Sequence, residues 1–246
     1  MSIPKKIHYC WFGENPKNEL AERCIKSWKK YCPDYEIVEW NESNFDIHIN
    51  KYVEEAYNAK KYAFVSDVAR LHALCAEGGV YMDTDVELVK SLEDLEKSTK
   101  AYIGFQDEKK INTGLIASEK DNEVIKKFLS YYDNKSFVKE DGTFDTTTNV
   151  DIITNMLLEM GLILNNTFQK MDNIDIYQKE YFCPIDYFTG KKELTKNTVA
   201  IHWFSASWLS NSGKVKAKIT KIIYKIFGKD SLNWLKRLLK KENVSK

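Results

Sequence analysis

The chain has little of what marks a secreted or membrane-spanning protein. Its five cysteines (Cys10, Cys24, Cys32, Cys75 and Cys183) form no CxxC pair and no cluster. An odd, scattered set argues against a disulfide framework and against a structural zinc site. No run approaches the roughly 20 apolar residues that a membrane span needs. The opening Met1-Ser-Ile-Pro-Lys-Lys-Ile-His8 lacks the apolar core of a signal peptide. No linker and no internal repeat interrupts the chain. These absences lead to the expectation of a cytosolic protein with reduced thiols. Nucleic acid is not an expected partner, because the body shows no basic-aromatic platform.

The net charge is also nearly absent, at +1 over 246 residues, but it is unevenly spread. From Lys214 to Lys246 eleven Lys or Arg face only Asp230 and Glu242, a net +9 that leaves −8 on residues 1–213. The basic segment reads as two amphipathic helices divided at Gly228, with Ile219, Ile222, Ile223, Ile226 and Phe227 in one and Leu232, Trp234, Leu235, Leu238 and Leu239 in the other. Such helices suit either an anionic membrane surface or packing on protein.

What is present is an alternation of strand and helix patterns, which argues for a layered α/β domain over 1–213 followed by the helical tail 214–246. Lys6 to Gly13 reads as a buried first strand, residues 20–28 as a helix stopped by Pro33-Asp34, and 35–40 as a second strand. Residues 50–61 and 64–77 read as helices, 80–82, 86–89, 101–105, 112–117 and 198–203 as strands, and 121–132 and 149–160 as further helices.

The most informative stretch is Tyr62-Ala-Phe-Val-Ser66-Asp67-Val-Ala-Arg70, followed by Gly78-Gly79-Val-Tyr81-Met-Asp83-Thr-Asp85. Asp67 and Arg70, three apart, share one helix face, which by itself is also the pattern of a simple ion pair. Gly78-Gly79 can supply the left-handed residue that closes a helix. The strand then delivers two carboxylates at i and i+2, which converge beyond the strand end, where α/β proteins bind ligands. Hard oxygen ligands suit Mg2+ or Mn2+. D-x-D alone also fits a solvated turn.

In order and spacing, Ile3 to Gly13 together with Ser66 to Asp85 resembles the DXD sugar-binding glycosyltransferases of family 32. That family includes bacterial capsular-polysaccharide enzymes and fungal initiating mannosyltransferases. The same segments are similar to the catalytic domain of the clostridial glucosylating toxins. The resemblance is dense over the first half of the chain and thin over the second. It implies a single GT-A-like α/β domain with a Rossmann-type mixed central sheet flanked by helices. It implies a retaining, metal-dependent transfer of a hexose from a nucleotide-sugar donor, a UDP-sugar, to a cell-surface or capsular glycan, lipid-linked if the tail lies on a membrane. The enzyme would then be peripheral at the inner face of the cell membrane.

Carried over by position, Trp11 would stack on the base, worth about 1–3 kcal/mol in analogous sites. Ser66, Asp67 and Arg70 would hold the donor sugar and phosphate side, and Tyr81 would line the nucleotide pocket or the core. Asp83 would contact ribose, sugar and metal, and Asp85 would ligate a divalent ion, Mn2+ or Mg2+. Asn112 would touch the donor sugar or the acceptor. In the late segment Ala200 to Trp208, His202 and Ser207 would complete the metal shell and Trp208 would meet the β-phosphate. Asp67, Arg70, Asp83 and Asp85 are the residues on which catalysis would rest. The helix opening at Thr147-Thr-Asn149 lacks the family's Gly-Pro pair, so no acceptor contact follows from it. No second carboxylate stands out as a nucleophile, which favours front-face displacement. Two rivals remain open: a haloacid-dehalogenase-type phosphotransferase with Asp83 as nucleophile, since Val80 to Val86 mimics that motif, and a non-catalytic sugar-nucleotide-binding membrane adaptor.

Overall fold

The computed structural model describes residues 2–205 apart from 98 and 188. Ser207, Trp208 and the expected tail, with its boundary at 213, lie outside the described residues. The described residues divide into two units, one of 2–184 with 194–203 and one of 185–193 with 204–205. In the second unit Ile185 and Lys192 form an antiparallel bridge, and the Asp186 carboxylate accepts from the Thr189 N–H and hydroxyl. The first unit carries the sheet and the candidate site.

The elements follow in the order β1 (Lys6–Cys10), α1 (Glu19–Tyr31), β2 (Glu36–Trp40), α2 (Lys51–Asn58), α3 (Tyr62–Glu77), β3 (Gly79–Met82), β4 (Val86–Leu88), α4 (Glu93–Glu96), β5 (Ala101–Phe105), β6 (Ile111–Ser118), α5 (Glu123–Ser130), α6 (Asn149–Glu159), β7 (Gln169–Met171), β8 (Ile174–Tyr177), α7 (Lys179–Phe182) and β9 (Ala200–His202). Local chemistry sets the main helix starts. Asn18, Asn50, Asn122 and Thr148 each accept a backbone N–H from the first turn of α1, α2, α5 and α6.

Among the described residues, seven strands form one mixed sheet in the order β2-β1-β3-β6-β5-β8-β7. β1 runs parallel to β2 and β3, and β5 runs parallel to β8. The pairs β3–β6, β5–β6 and β7–β8 are antiparallel. Alternation along β3 divides the interior. Tyr81 joins the core with Val65, Val68 and Leu71 of α3, and Val80 and Met82 join the core with Cys24 and Trp28 of α1. Burying each large aliphatic side chain contributes about 1.5–3 kcal/mol. The sheet thus has helices on both faces, as expected. The chain leaves β1 toward β2 on one side and returns to β3 on the other. The crevice beyond the C-terminal ends of β1 and β3 is therefore a topological switch point.

The structure changes the expectation in several places. Segments 86–89 and 198–203 do contain strands, but β4 and β9 pair with each other in a separate two-stranded ladder, Val86 opposite His202 and Leu88 opposite Ala200. α1 holds the far edge of that ladder: the Trp28 indole N–H donates to the Val86 carbonyl at 2.8 Å, and the Leu88 N–H donates to Ser27 Oγ at 2.9 Å. β7, β8, α4 and α7 carry no sequence expectation, and α3 begins at Tyr62 rather than Phe64.

Candidate metal and donor site

α3 places Asp67 and Arg70 under the switch point, and Gly78-Gly79 turns the chain into β3. Gly78 and Gly79 both have positive φ, 68° and 105°, and a Cβ on Gly79 would lie 2.8 Å from the Lys6 carbonyl of β1. Only glycine lets the chain leave the helix this close to the neighbouring strand. Past Met82 the pairing with β6 continues for one more bond, from the Asp83 N–H to the Gly114 carbonyl at 2.8 Å. The Val86 N–H then donates to the Asp83 carbonyl at 2.9 Å, closing a tight turn that carries Asp83 and Asp85 into β4.

Arg70 is buried and fully engaged. Its Nη2 lies 2.8 Å from Asp67 Oδ1 and 3.4 Å from Asp83 Oδ1. Its Nη1 donates to the Thr113 carbonyl at 2.7 Å, its Nε donates to the Ser66 carbonyl at 3.2 Å, and its guanidinium sits 4.7 Å from the Tyr81 ring centroid. Burial opposes the charge, but Asp83, Tyr81 and Asp67 hold the pKa above its ordinary value. Burial also pushes the Asp67 carboxyl up to about 7, against the pull of Arg70. The Tyr81 hydroxyl donates to Asp83 Oδ1 at 2.8 Å, and Tyr81 itself is 1% exposed, so it belongs to the core and positions Asp83. The Ser66 hydroxyl donates back to the Tyr62 carbonyl at 3.0 Å.

Across the turn, the ladder of β4 and β9 brings His202 to Asp85. His202 Nε2 lies 3.3 Å from Asp85 Oδ1, and the Trp203 N–H donates to the Asp85 carbonyl at 2.9 Å. Burial opposes a charged His202, yet the adjacent Asp85 lifts its pKa well above the ordinary value. Asp83, Asp85 and His202 each bring one ligand atom within 4.8 Å of the others, the one such group of three found among the described residues. Gly114 forms the floor beneath them: a Cβ there would lie 2.9 Å from His202 Cε1 and 3.1 Å from Asp83 Oδ2. Two carboxylates and an imidazole over a glycine suit a divalent ion of the Mn2+ or Mg2+ class, by donor chemistry and by the space kept clear for them.

Trp11 follows β1 on the same edge, half-buried. Its indole N–H donates to the Asn15 carbonyl at 2.6 Å, and Lys17 Nζ lies 5.7 Å from its ring. Asn112, on β6, is 1% exposed and contacts His202. Of the expected site residues, the structure gathers Asp67, Arg70, Tyr81, Asp83, Asp85, Asn112 and His202 into one linked network. Gly114 and Thr113 belong to the same network through a backbone carbonyl and a missing side chain, features that residue type alone does not reveal.

Residues 18–102 match the family model described as the glycosyltransferase sugar-binding region containing DXD motif. Over 112 residues the chain is 27% identical to Subversion of eukaryotic traffic protein A of Legionella pneumophila, covering 34% of this chain and 17% of that protein. Over 105 residues it is 30% identical to inositol phosphoceramide mannosyltransferase 3 of Schizosaccharomyces pombe, covering 38% of this chain and 27% of that protein. The matches therefore span well under a third of either curated relative. Among solved structures, PaToxG glycosyltransferase aligns with a TM-score of 0.49 at 24% identity, covering 64% of this chain and 69% of that one. A mixed α/β domain, a DXD-containing sugar-binding region and a candidate metal cluster are together consistent with a metal-dependent glycosyltransferase. Among the described residues no helix is long and apolar enough to cross a membrane.

Proposed function

We propose that this chain is a metal-dependent, retaining glycosyltransferase that moves a hexose from a UDP-sugar to a cell-surface or capsular glycan. The observation that carries the reading is the convergence of Asp83, Asp85 and His202 within 4.8 Å, beside a switch-point crevice and within reach of the matched sugar-binding region. These three residues would hold Mn2+ or Mg2+, which when bound would neutralise the charge that grows on the departing diphosphate. Trp11 would stack on the base. Ser66 and Asp67 would face the donor sugar, with Asp67 held in place by Arg70. Arg70 acts mainly by holding Asp83 and Asp67, with its positive field directed toward the diphosphate. Asn112 offers the donor its Nδ2, which is buried and has no partner among the described residues. Ser207 and Trp208 would close over the diphosphate.

No covalent nucleophile is assigned. The acceptor hydroxyl attacks the face from which the diphosphate leaves, and the departing phosphate oxygen takes its proton. A phosphotransferase with Asp83 as nucleophile fits less well, because Asp83 Oδ1 is held by Tyr81 and Arg70 and the residue is shared with the ion cluster. The similarity to a mannosyltransferase of inositol phosphoceramide supports hexose transfer and a lipid-linked acceptor. With that acceptor, the basic residues 214–246 would lie on anionic lipid at the inner face of the cell membrane.

Thermal unfolding with UDP, GDP and CMP, each with and without Mn2+, tests the reading. Metal-dependent stabilisation by one nucleotide, lost in Asp85→Ala, is expected, and no response to any of them would sink it. Slow hydrolysis of the matching nucleotide sugar separates an enzyme from a non-catalytic adaptor.

A further inference from the structure

We propose that Asn112 is a positioning residue for the ion site: its side-chain oxygen fixes the His202 ring with Nδ1 tied to β6 and Nε2 as the nitrogen offered to the ion. The proposal rests on the reading of Asp83, Asp85 and His202 as metal ligands.

An imidazole can ligate through either nitrogen, and the hydrogen bond made by one decides which is left for the metal. The two ends of the Asn112 amide are distinguished by their surroundings. Asn112 Oδ1 lies 3.0 Å from the Gly114 backbone N–H, which can only donate, so the atom there is the oxygen. The same Oδ1 lies 3.0 Å from His202 Nδ1. An accepting oxygen requires a proton on Nδ1, so when an ion takes the place of the proton facing Asp85, the lone pair it meets is the one on Nε2. That nitrogen is the one beside Asp85 Oδ1, at 3.3 Å. Cys183 Sγ, 4.0 Å from Nδ1, is too weak an acceptor to compete with an amide oxygen.

The neighbours of Asn112 on β6 reinforce the arrangement. The Gly114 Cα edge supports the ring, since a Cβ there would stand 3.1 Å from His202 Nδ1. The Gly114 carbonyl holds the Asp83 N–H, and the Thr113 carbonyl holds Arg70. Three successive residues of one strand therefore set the place of Asp83 and, through Asn112, the roll of the His202 ring. Asn112 is 1% exposed and is fixed by its own packing, as a positioning group must be.

Mn2+ titration of the full chain by calorimetry, with free Mn2+ followed by electron paramagnetic resonance, tests the inference. Asn112→Ala is expected to weaken Mn2+ binding by about 10- to 100-fold, whereas Asn112→Asp, which keeps an oxygen in place, binds at least as tightly as the parent. In the parent chain loaded with Mg2+, 15N-histidine NMR is expected to show the His202 proton on Nδ1. A folded Asn112→Ala that binds Mn2+ like the parent, or a His202 proton on Nε2, overturns the proposal. The NMR result decides the matter even where Asn112→Ala does not fold. A parent chain that binds no Mn2+, or an Asp85→Ala variant that binds it unchanged, overturns the metal reading and this proposal together.

Discussion

Asp85 and His202 stand 3.3 Å apart because two short strands, β4 and β9, pair with Val86 directly opposite His202. The Trp203 N–H locks the register from the other side by donating to the Asp85 carbonyl. Neither side chain can move along its strand without breaking this ladder, so the two form one preorganised half of the candidate ion site, with Asp83 as the other half.

Removing either member of that pair should cost ion binding, and some stability as well, because the partner is left buried without its counter-charge. Asp85→Ala and His202→Ala are expected to weaken Mn2+ by at least about tenfold. Far-UV circular dichroism should stay unchanged, because the seven-stranded sheet does not include β4 or β9. Calorimetric titration checks this, and undiminished affinity in both variants would rule it out.

Arg70 should matter for stability as well as for the site. Arg70→Ala leaves two carboxylates, Asp67 and Asp83, without their shared cation and removes the bond to the Thr113 carbonyl. The loss expected for breaking a buried ionic cluster is about 3–5 kcal/mol. Arg70→Lys keeps a charge but cannot span four partners, so it should fall between. Urea unfolding measures both, and a loss below about 1 kcal/mol in Arg70→Ala would contradict the assignment.

Gly114→Ala isolates the floor of the site. The added methyl would meet His202 Cε1 at 2.9 Å and Asp83 Oδ2 at 3.1 Å, so both ligands must give way. A stability loss of about 1–3 kcal/mol is expected for such overpacking, together with weaker Mn2+ binding at full saturation of the fold. Normal Mn2+ affinity in this variant would show that the ligands do not depend on β6.

His8 supplies a pH-dependent contribution of known sign. Burial holds its pKa below the ordinary value. The neutral ring donates from Nε2 to the Gly78 carbonyl at 2.8 Å and accepts the Trp40 indole N–H at Nδ1, at 3.1 Å. Below about pH 6.5 the unfolded chain takes up a proton that the folded chain resists, so this contribution is complete above that pH and declines as pH falls. Asp67 and Glu96, both raised by burial, act in the opposite direction. The measurement is therefore the difference between the parent chain and His8→Gln in urea unfolding at pH 7.5 and pH 5. The cost of the substitution should be larger at pH 7.5, and an equal cost at both would refute a buried neutral ring with its proton on Nε2.

How much of this was legible beforehand depended on whether the signal was local. The helix–Gly-Gly–strand–D-x-D run could be read because helix period, left-handed glycines and a carboxylate pair lie within one short stretch. β7 could not, since Gln169, Lys170 and Met171 form a partly exposed edge with no apolar alternation. The pairing of β4 with β9 was hidden because three-residue strands carry too little pattern to show their partner. Asp67 and Arg70 could be placed on one face, but only the fold shows that this face is turned inward to Asp83 and Thr113. The Asn112–His202 contact joins residues on distant strands, and no spacing rule reaches it. The role of His202 came from the resemblance, while the histidine with the clearest structural part, His8, had none assigned.

The ladder of β4 and β9 also bears on when the protein becomes competent. The two aspartates are in place early in synthesis, on the turn after β3, but the imidazole arrives with a strand near the other end of the described chain. Closing so long a loop is slow compared with forming local helices. A nascent chain therefore carries the D-x-D pair for some time before His202 can join it, and the candidate cluster is complete only when β9 pairs with β4.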